Sequence, residues 1–103
     1  MRRAVAYIDE HAQDPVTLAD VASASRLSVR ALQAGFRRYL DTTPMGYLQK
    51  VRLSSARLDL LAGDPTRETV AAIARRWGFT HLGRFASSYR AAFGELPSES
   101  LRR

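Results

Sequence analysis

Arg30 and Gln33 stand three residues apart, just after Ser28, a residue type well suited to begin a helix. On a helix that spacing puts two side chains one turn apart on the same face. Arginine offers a planar fork to guanine O6 and N7, and glutamine can pair with adenine N6 and N7. Ala34, Arg37 and Arg38 continue the face of Arg30, with Gln33 at its border. Arg37 and Arg38 lie deeper along the helix and suit phosphate better than base edges. Taken singly, each of these reads more simply as an ordinary solvated side chain. Their clustering on one helical face is what favours a nucleic acid.

A second stretch exposes Gly83, Arg84, Ser87 and Arg90, with His81 near its start and Leu82 at the edge of the core face, and is poorer in long polar side chains. Leu82 suits either a thymine methyl or packing at the edge of a core. Ser28 and Thr80, as helix N-caps, would place free backbone N–H groups where phosphate is attracted. Arg26, Arg75 and Arg76 fall near the turns and are further phosphate candidates. The first stretch is therefore expected to supply most base discrimination, and the second to anchor and position.

The charge balance agrees. Sixteen basic residues face ten acidic ones, a net +6, and all but Lys50 of the basic residues are arginine. A GC-rich genome explains arginine over lysine as well as phosphate chemistry does. The excess positive charge itself still calls for an anionic partner, nucleic acid first and an anionic membrane surface second. Split after Arg52, each half holds eight basic and five acidic residues, +3 apiece. An even split fits two DNA contacts better than one basic tail.

Other chemistries are poorly supplied. With no cysteine there is no disulfide, thiolate metal site or cysteine nucleophile. The two histidines, His11 and His81, are far apart in sequence, and no zinc motif, phosphate-binding loop or nucleophile elbow occurs. We expect no enzyme, no metal and no cofactor. No apolar run approaches the roughly 20 residues needed to span a bilayer. Asp9 and Glu10 interrupt any signal-peptide core behind Met1-Arg2-Arg3. These features point to a cytoplasmic protein with no membrane partner.

The elements that must carry these side chains come from an internal repeat. Thr17-Leu18-Ala19-Asp20-Val21-Ala22 aligns with Thr69-Val70-Ala71-Ala72-Ile73-Ala74 at an offset of 52. The match runs through Leu27-Ser28 over Phe79-Thr80. One extra residue then enters the second copy, and Leu32, Phe36, Arg37, Leu40, Pro44 and Leu48 fall on Phe85, Tyr89, Arg90, Phe93, Pro97 and Leu101. The pattern is helical throughout, with no sustained strand alternation. A first helix is predicted over about Arg3 to His11, with Val5, Ile8 and Ala12 on one face. Thr17 and Asp20 form a capping-box-like start for the next. Ser28 caps a helix ending near Leu40, whose core face reads as Val29, Leu32, Phe36, Tyr39 and Leu40. In the second copy Thr69 caps a helix to about Trp77, Gly78 permits a left-handed turn, and Thr80 caps a helix to about Phe93. Phe85, Tyr89 and Phe93 set its core face. Gly94 and Pro97 close it, with room for a short last helix. Two helices joined by a tight turn, twice over, is the helix-turn-helix pattern.

Between the copies Pro44 opens a helix of about 18 residues that Gly63-Asp64-Pro65 ends. At 100° per residue it shows two apolar stripes. Met45, Leu53, Ala56 and Leu60 form one; Tyr47, Val51, Leu58 and Leu61 form the other. A linker serving two small cores is the simplest account, and burial in a single larger core the other. The resulting organisation is 3–43 for the first helix-turn-helix unit, 44–62 for the linker and 66–103 for the second.

With these residues placed, the chain resembles the C-terminal domain of the AraC/XylS family of bacterial transcription regulators. The similarity is carried by Gly78 through Phe85, Tyr89-Arg90, Phe93-Gly94 and Pro97-Ser98, and in the first half by Thr17–Ala22, Phe36-Arg37, Pro44, Tyr47-Leu48, Arg52-Leu53 and Ala56. The resemblance implies an all-α domain of seven helices, two helix-turn-helix units joined by a long helix. It implies double-stranded DNA as partner, with the two recognition helices in adjacent major grooves. Arg30, Gln33 and Ala34, then Leu82, Gly83 and Ser87, would face bases. RNA polymerase is a candidate second partner, and most members carry an N-terminal sensing and dimerisation domain. Ala34, Leu82 and Gly83 replace polar residues common in the family, which leaves the second unit's reading open. The competing picture is a protein-interaction bundle, which explains helices but not a repeated, capped turn with exposed arginines. Steep weakening of binding with salt would separate the two.

Overall fold

The computed structural model describes residues 1–103. Seven helices follow one another with no strand: α1 (Arg2–His11), α2 (Leu18–Ser25), α3 (Val29–Leu40), α4 (Pro44–Ala62), α5 (Val70–Arg76), α6 (Leu82–Phe93) and α7 (Pro97–Leu101). The chain divides into two compact units, Met1–Val51 and Arg52–Arg103, and the division falls inside α4.

In the first unit α1 packs on α2, and α2 on α3. Ala4, Ile8 and Ala12 recur every four residues, so one side of α1 is buried. Val5, expected on that side, is only half-buried. Val21 and Ala22 of α2, Leu32 and Phe36 of α3 and Leu48 of α4 complete the buried set. Burying each of the larger side chains contributes about 1.5–3 kcal/mol. The α2 start is a true capping box. Asp20 N–H donates to Thr17 Oγ1 at 3.1 Å, and Thr17 N–H donates to Asp20 Oδ2 at 2.9 Å. The helix ends where Arg26 turns left-handed (φ 57°), and Leu27 N–H reaches back to Ala22 O at 3.0 Å.

The second unit repeats this plan. Helices α5, α6 and α7 pack pairwise, and the second half of α4 joins them. Leu53, Ala56 and Leu60 of α4, Ile73 and Ala74 of α5, Phe85 and Tyr89 of α6 and Leu101 of α7 form the core. Val70, Trp77, Phe79 and Phe93 pack at its border. Four rings run in series, with centroids 4.7 Å apart for Phe79–Phe85, 5.7 Å for Phe85–Tyr89 and 4.7 Å for Tyr89–Phe93. Trp77 Nε1–H finds its acceptor in Asp59 Oδ2, 2.8 Å away on α4.

Two expectations about packing are corrected. On α3 only Leu32 and Phe36 are buried; Val29 and Leu40 are exposed and Tyr39 is 67% exposed. All five lie at the right angle around the helix, but periodicity reports angle and not length. A core this small reaches only the middle turns, and both ends of α3 overrun it. On α4 the stripe of Tyr47, Val51, Leu58 and Leu61 is not a core face, because Leu58 is 69% exposed and Leu61 is exposed too. What is buried changes along the helix instead: Pro44 and Leu48 in the first unit, then Leu53, Ala56 and Leu60 in the second.

Candidate nucleic-acid interface

Each unit presents a helix pair joined by a tight turn, α2–α3 and α5–α6. Since Leu32 and Phe36 bury one side of α3, its other side is left to solvent. Arg30, Gln33, Ala34, Arg37 and Arg38 all lie there, and all are exposed. No acid of the chain pairs with Arg30, Arg37 or Arg38. Arg38 instead sits over the Tyr39 ring, 5.5 Å from its centroid. Ser28 begins α3 as expected: its Oγ accepts from Ala31 N–H at 3.1 Å.

On α6 the burial of Phe85 and Tyr89 leaves Leu82, Gly83, Arg84, Ser87 and Arg90 exposed. Arg84 and Arg90 are likewise unpaired with any acid. The cap is not Thr80. The helix starts at Leu82, and its N-cap is His81, whose Nδ1 accepts from Arg84 N–H at 3.1 Å. Nδ1 must then be the unprotonated ring nitrogen. The reason is where the repeat takes its extra residue. Gly78 holds the left-handed place of Arg26, and Phe79 N–H bonds Ala74 O at 2.9 Å as Leu27 does Ala22. Thr80 is the additional residue of the turn, so the helix begins one position later and His81 takes the place of Ser28.

The turn of the second unit is supported from beneath. A Cβ at Gly78 (φ 85°) would lie 3.1 Å from Arg52 Cζ. Gly78 is thus favoured by its backbone conformation, and a side chain there would have to push the Arg52 guanidinium aside by a few tenths of an ångström. Arg52 is half-buried, and burial draws its guanidinium below the usual arginine range, though it remains charged.

Of the turn arginines, Arg26 and Arg75 are exposed and unpaired. Arg76 is not available in the same way. Its guanidinium bridges Asp59 Oδ2 at 2.9 Å and Glu68 Oε1 at 3.0 Å, and the Asp59 bond, then that to Glu68, raises its pKa. Its charge is already matched inside the unit, so it is a structural clasp between α4, α5 and the loop before α5. A polar group behind α6, made by Arg57, Tyr89, Glu95 and Ser100, was not legible in the sequence. The signal, faint as it is, was a tyrosine in a core position, since a buried phenol needs a partner.

A family described as a helix-turn-helix domain matches residues 21–103. The probable thc operon regulatory protein of Rhodococcus erythropolis is 53% identical over 102 residues, covering 99% of this chain and 31% of its own length. The XylDLEGF operon transcriptional activator of Pseudomonas putida is 39% identical over 100 residues, covering 97% of this chain and 31% of its own length. The chain thus spans about a third of these curated relatives. A crystal structure of a probable AraC family transcriptional regulator from Rhodopseudomonas palustris superposes with a TM-score of 0.90 at 37% identity, over 99% of this chain and 94% of that one. Two capped helix pairs, unpaired arginines on each second helix and this likeness over nearly the whole chain have one reading: the chain belongs to the AraC/XylS family of transcription regulators, as its helix-turn-helix DNA-binding domain.

Proposed function

We propose that the domain reads double-stranded DNA by sequence, with α3 and α6 each laid in a major groove, and that α3 carries most of the base discrimination. The observation that supports this best is the clustering of unpaired arginines on the exposed faces of α3 and α6. Arg57, Arg76 and Arg103 are paired with carboxylates of the chain, whereas Arg30, Arg37, Arg38, Arg84 and Arg90 on the two second helices are not. Cations left unmatched on one side of a helix are suited to phosphates and guanine edges. In this reading Arg30 and Gln33 face bases beside Ala34, and Arg37 and Arg38 hold phosphate. Leu82, Gly83 and Ser87 line the second groove, with Arg84, Arg90 and His81 beside them. Ser28, Arg26 and Arg75 approach the DNA backbone near the turns. Thr80, in the turn, is a weaker candidate, and Arg76 is left out.

The two recognition helices then belong to modules that meet within α4, the helix of residues 44–62. We place the domain in the cytoplasm, without catalysis or cofactor; no helix is long and apolar enough to cross a membrane. In a regulator of its relatives' length it would be joined to a sensing and dimerisation domain and act on RNA polymerase.

Selection of bound duplexes from a random pool tests this reading, and it should return two half-motifs. Arg30→Ala should relax preference at one position of one half-motif, at a cost of about 1–3 kcal/mol. Arg84→Ala should weaken all duplexes alike and lower the salt slope by about 1. A pool that returns no motif overturns the reading. Arg84→Ala relaxing sequence preference more than Arg30→Ala overturns the asymmetry.

A further inference from the structure

Tyr89 occupies in α6 the place that Phe36 occupies in α3, and both are fully buried. Its ring does the same packing; its hydroxyl is extra. That hydroxyl donates to Ser100 Oγ at 2.6 Å and accepts from Arg57 Nη1 at 3.4 Å. Ser100, also fully buried, donates in turn to the Glu95 carboxylate. Glu95 pairs with Arg103 at 2.5 Å and with Arg57 at 3.6 Å, and Arg57 lies over the Phe93 ring, 4.7 Å from its centroid. The Ser100 hydroxyl first, then Arg103 and Arg57, hold the Glu95 carboxyl below the usual glutamate range. One atom of α6 is thereby tied to α4, to α7 and to the loop before α7, and no buried side-chain polar atom of the chain is left without a partner.

A network of this kind adds little net stability, because desolvation offsets most of what its bonds return. What it adds is direction. Close packing of the ring already limits movement of the helix; the hydrogen bonds of its hydroxyl add fixed directions to that restraint. We propose that Tyr89 is a positioning residue that sets the rotation of α6 about its own axis, and so the angle at which its exposed face meets the bases. The need is specific to α6. Ser87 lies roughly 160° around the helix from Tyr89 and Gly83 roughly 120°; both are exposed, one has a short side chain and the other none, so a small rotation would carry this surface out of contact. Arg30 and Gln33 on α3 are long enough to follow a shifting helix, and there Phe36 suffices.

The proposal rests on α6 entering a groove, and the experiment separates the two. Tyr89→Phe and Ser100→Ala are each made in the whole domain. Binding is measured to the selected duplex and to single-base changes in each half-motif, at a temperature where circular dichroism shows every protein folded. Discrimination in the α6 half should fall about fivefold in both variants, as expected when a contact surface is displaced by a few tenths of an ångström, while the α3 half holds. Unchanged discrimination, or equal loss in both halves, overturns the proposal. If Tyr89→Phe fails to fold, Ser100→Ala alone decides. Ser87→Glu places a carboxylate on the groove face; if it leaves binding intact, α6 is not in a groove, and the parent reading falls along with the proposal.

Discussion

Where the first unit turns left-handed after each helix of its pair, it uses Arg26 (φ 57°) and Asp41 (φ 51°). At the matching places the second unit uses Gly78 (φ 85°) and Gly94 (φ 76°). The first unit opens α2 with a reciprocal box between Thr17 and Asp20; the second opens α5 with Thr69 alone, because Ala72 stands where Asp20 would. Ser28 begins one recognition helix and His81 the other. Phe36 fills one core and Tyr89 the other. The backbone is thus repeated at each of these points while the chemistry that secures it differs. The tertiary arrangement dictates the conformation, and several side chains can satisfy it. The exposed faces, which packing does not constrain, have diverged furthest.

Truncating the two matched core rings gives the largest expected effect. Phe36→Ala should cost about 3–5 kcal/mol by transfer and cavity. Tyr89→Ala should cost about 1 kcal/mol more, since Ser100 and Arg57 then lose a partner in a desolvated site. Urea unfolding at neutral pH measures both. Equal losses would mean that the hydroxyl network contributes orientation without stability, and would narrow the difference between the units to geometry alone.

Exchange at the left-handed positions comes next. Gly78→Ala should cost about 1–2 kcal/mol for the backbone conformation alone, and more once its Cβ meets Arg52. Gly94→Ala should cost only the conformational part, because nothing lies within 4 Å of a Cβ there. In the first unit the same reasoning predicts gains. Arg26→Gly should stabilise by up to about 1 kcal/mol, and Asp41→Gly by less, since aspartate tolerates this region better than arginine. Thermal melts in which Gly94→Ala loses as much as Gly78→Ala would dismiss the Arg52 contact as a constraint.

These positions also show what was legible beforehand. Gly78 announced a left-handed turn, but Arg26 and Asp41 carried no such mark, since their conformation is imposed by the fold. Ser28 was legible as a cap because its hydroxyl is a common one. The sequence favours Thr80 over His81 as the cap because the extra residue can be placed on either side of it, and only the turn geometry decides. The exposed arginines of α3 and α6 followed from the 3.6-residue period, which fixes angle. The exposure of Tyr39, Leu40, Leu58 and Leu61 did not follow, because a period is silent about how far along an axis the neighbouring element extends. Long-range ion pairs were the least legible: nothing near Arg76 in sequence indicates that Asp59, 17 residues away, will hold it.

The smallest effect concerns acid. The Thr17 backbone N–H first, and then its hydroxyl, hold the Asp20 carboxyl below the usual aspartate range. A carboxylate whose folded pKa is depressed adds stability above the unfolded value, and that stability disappears as pH falls through the folded one. The first unit should therefore lose one of its caps as the solution is acidified below the ordinary aspartate range, while Ala72 gives the second unit nothing to lose at that place. The contribution is small because the group is exposed and solvent-screened. Asp20→Ala should flatten this part of the stability profile between neutrality and about pH 3, where unperturbed aspartates are mostly protonated. Amide exchange should locate the change in α2 and leave α5 as it was. Glu95, also depressed, titrates in the second unit and serves as the internal contrast: Glu95→Gln should flatten the acid limb seen by α6 and α7 amides without touching α2. If Asp20→Ala leaves the acid limb of α2 unaltered, the reciprocal box is a matter of geometry only, and the two helix starts differ in form without differing in strength.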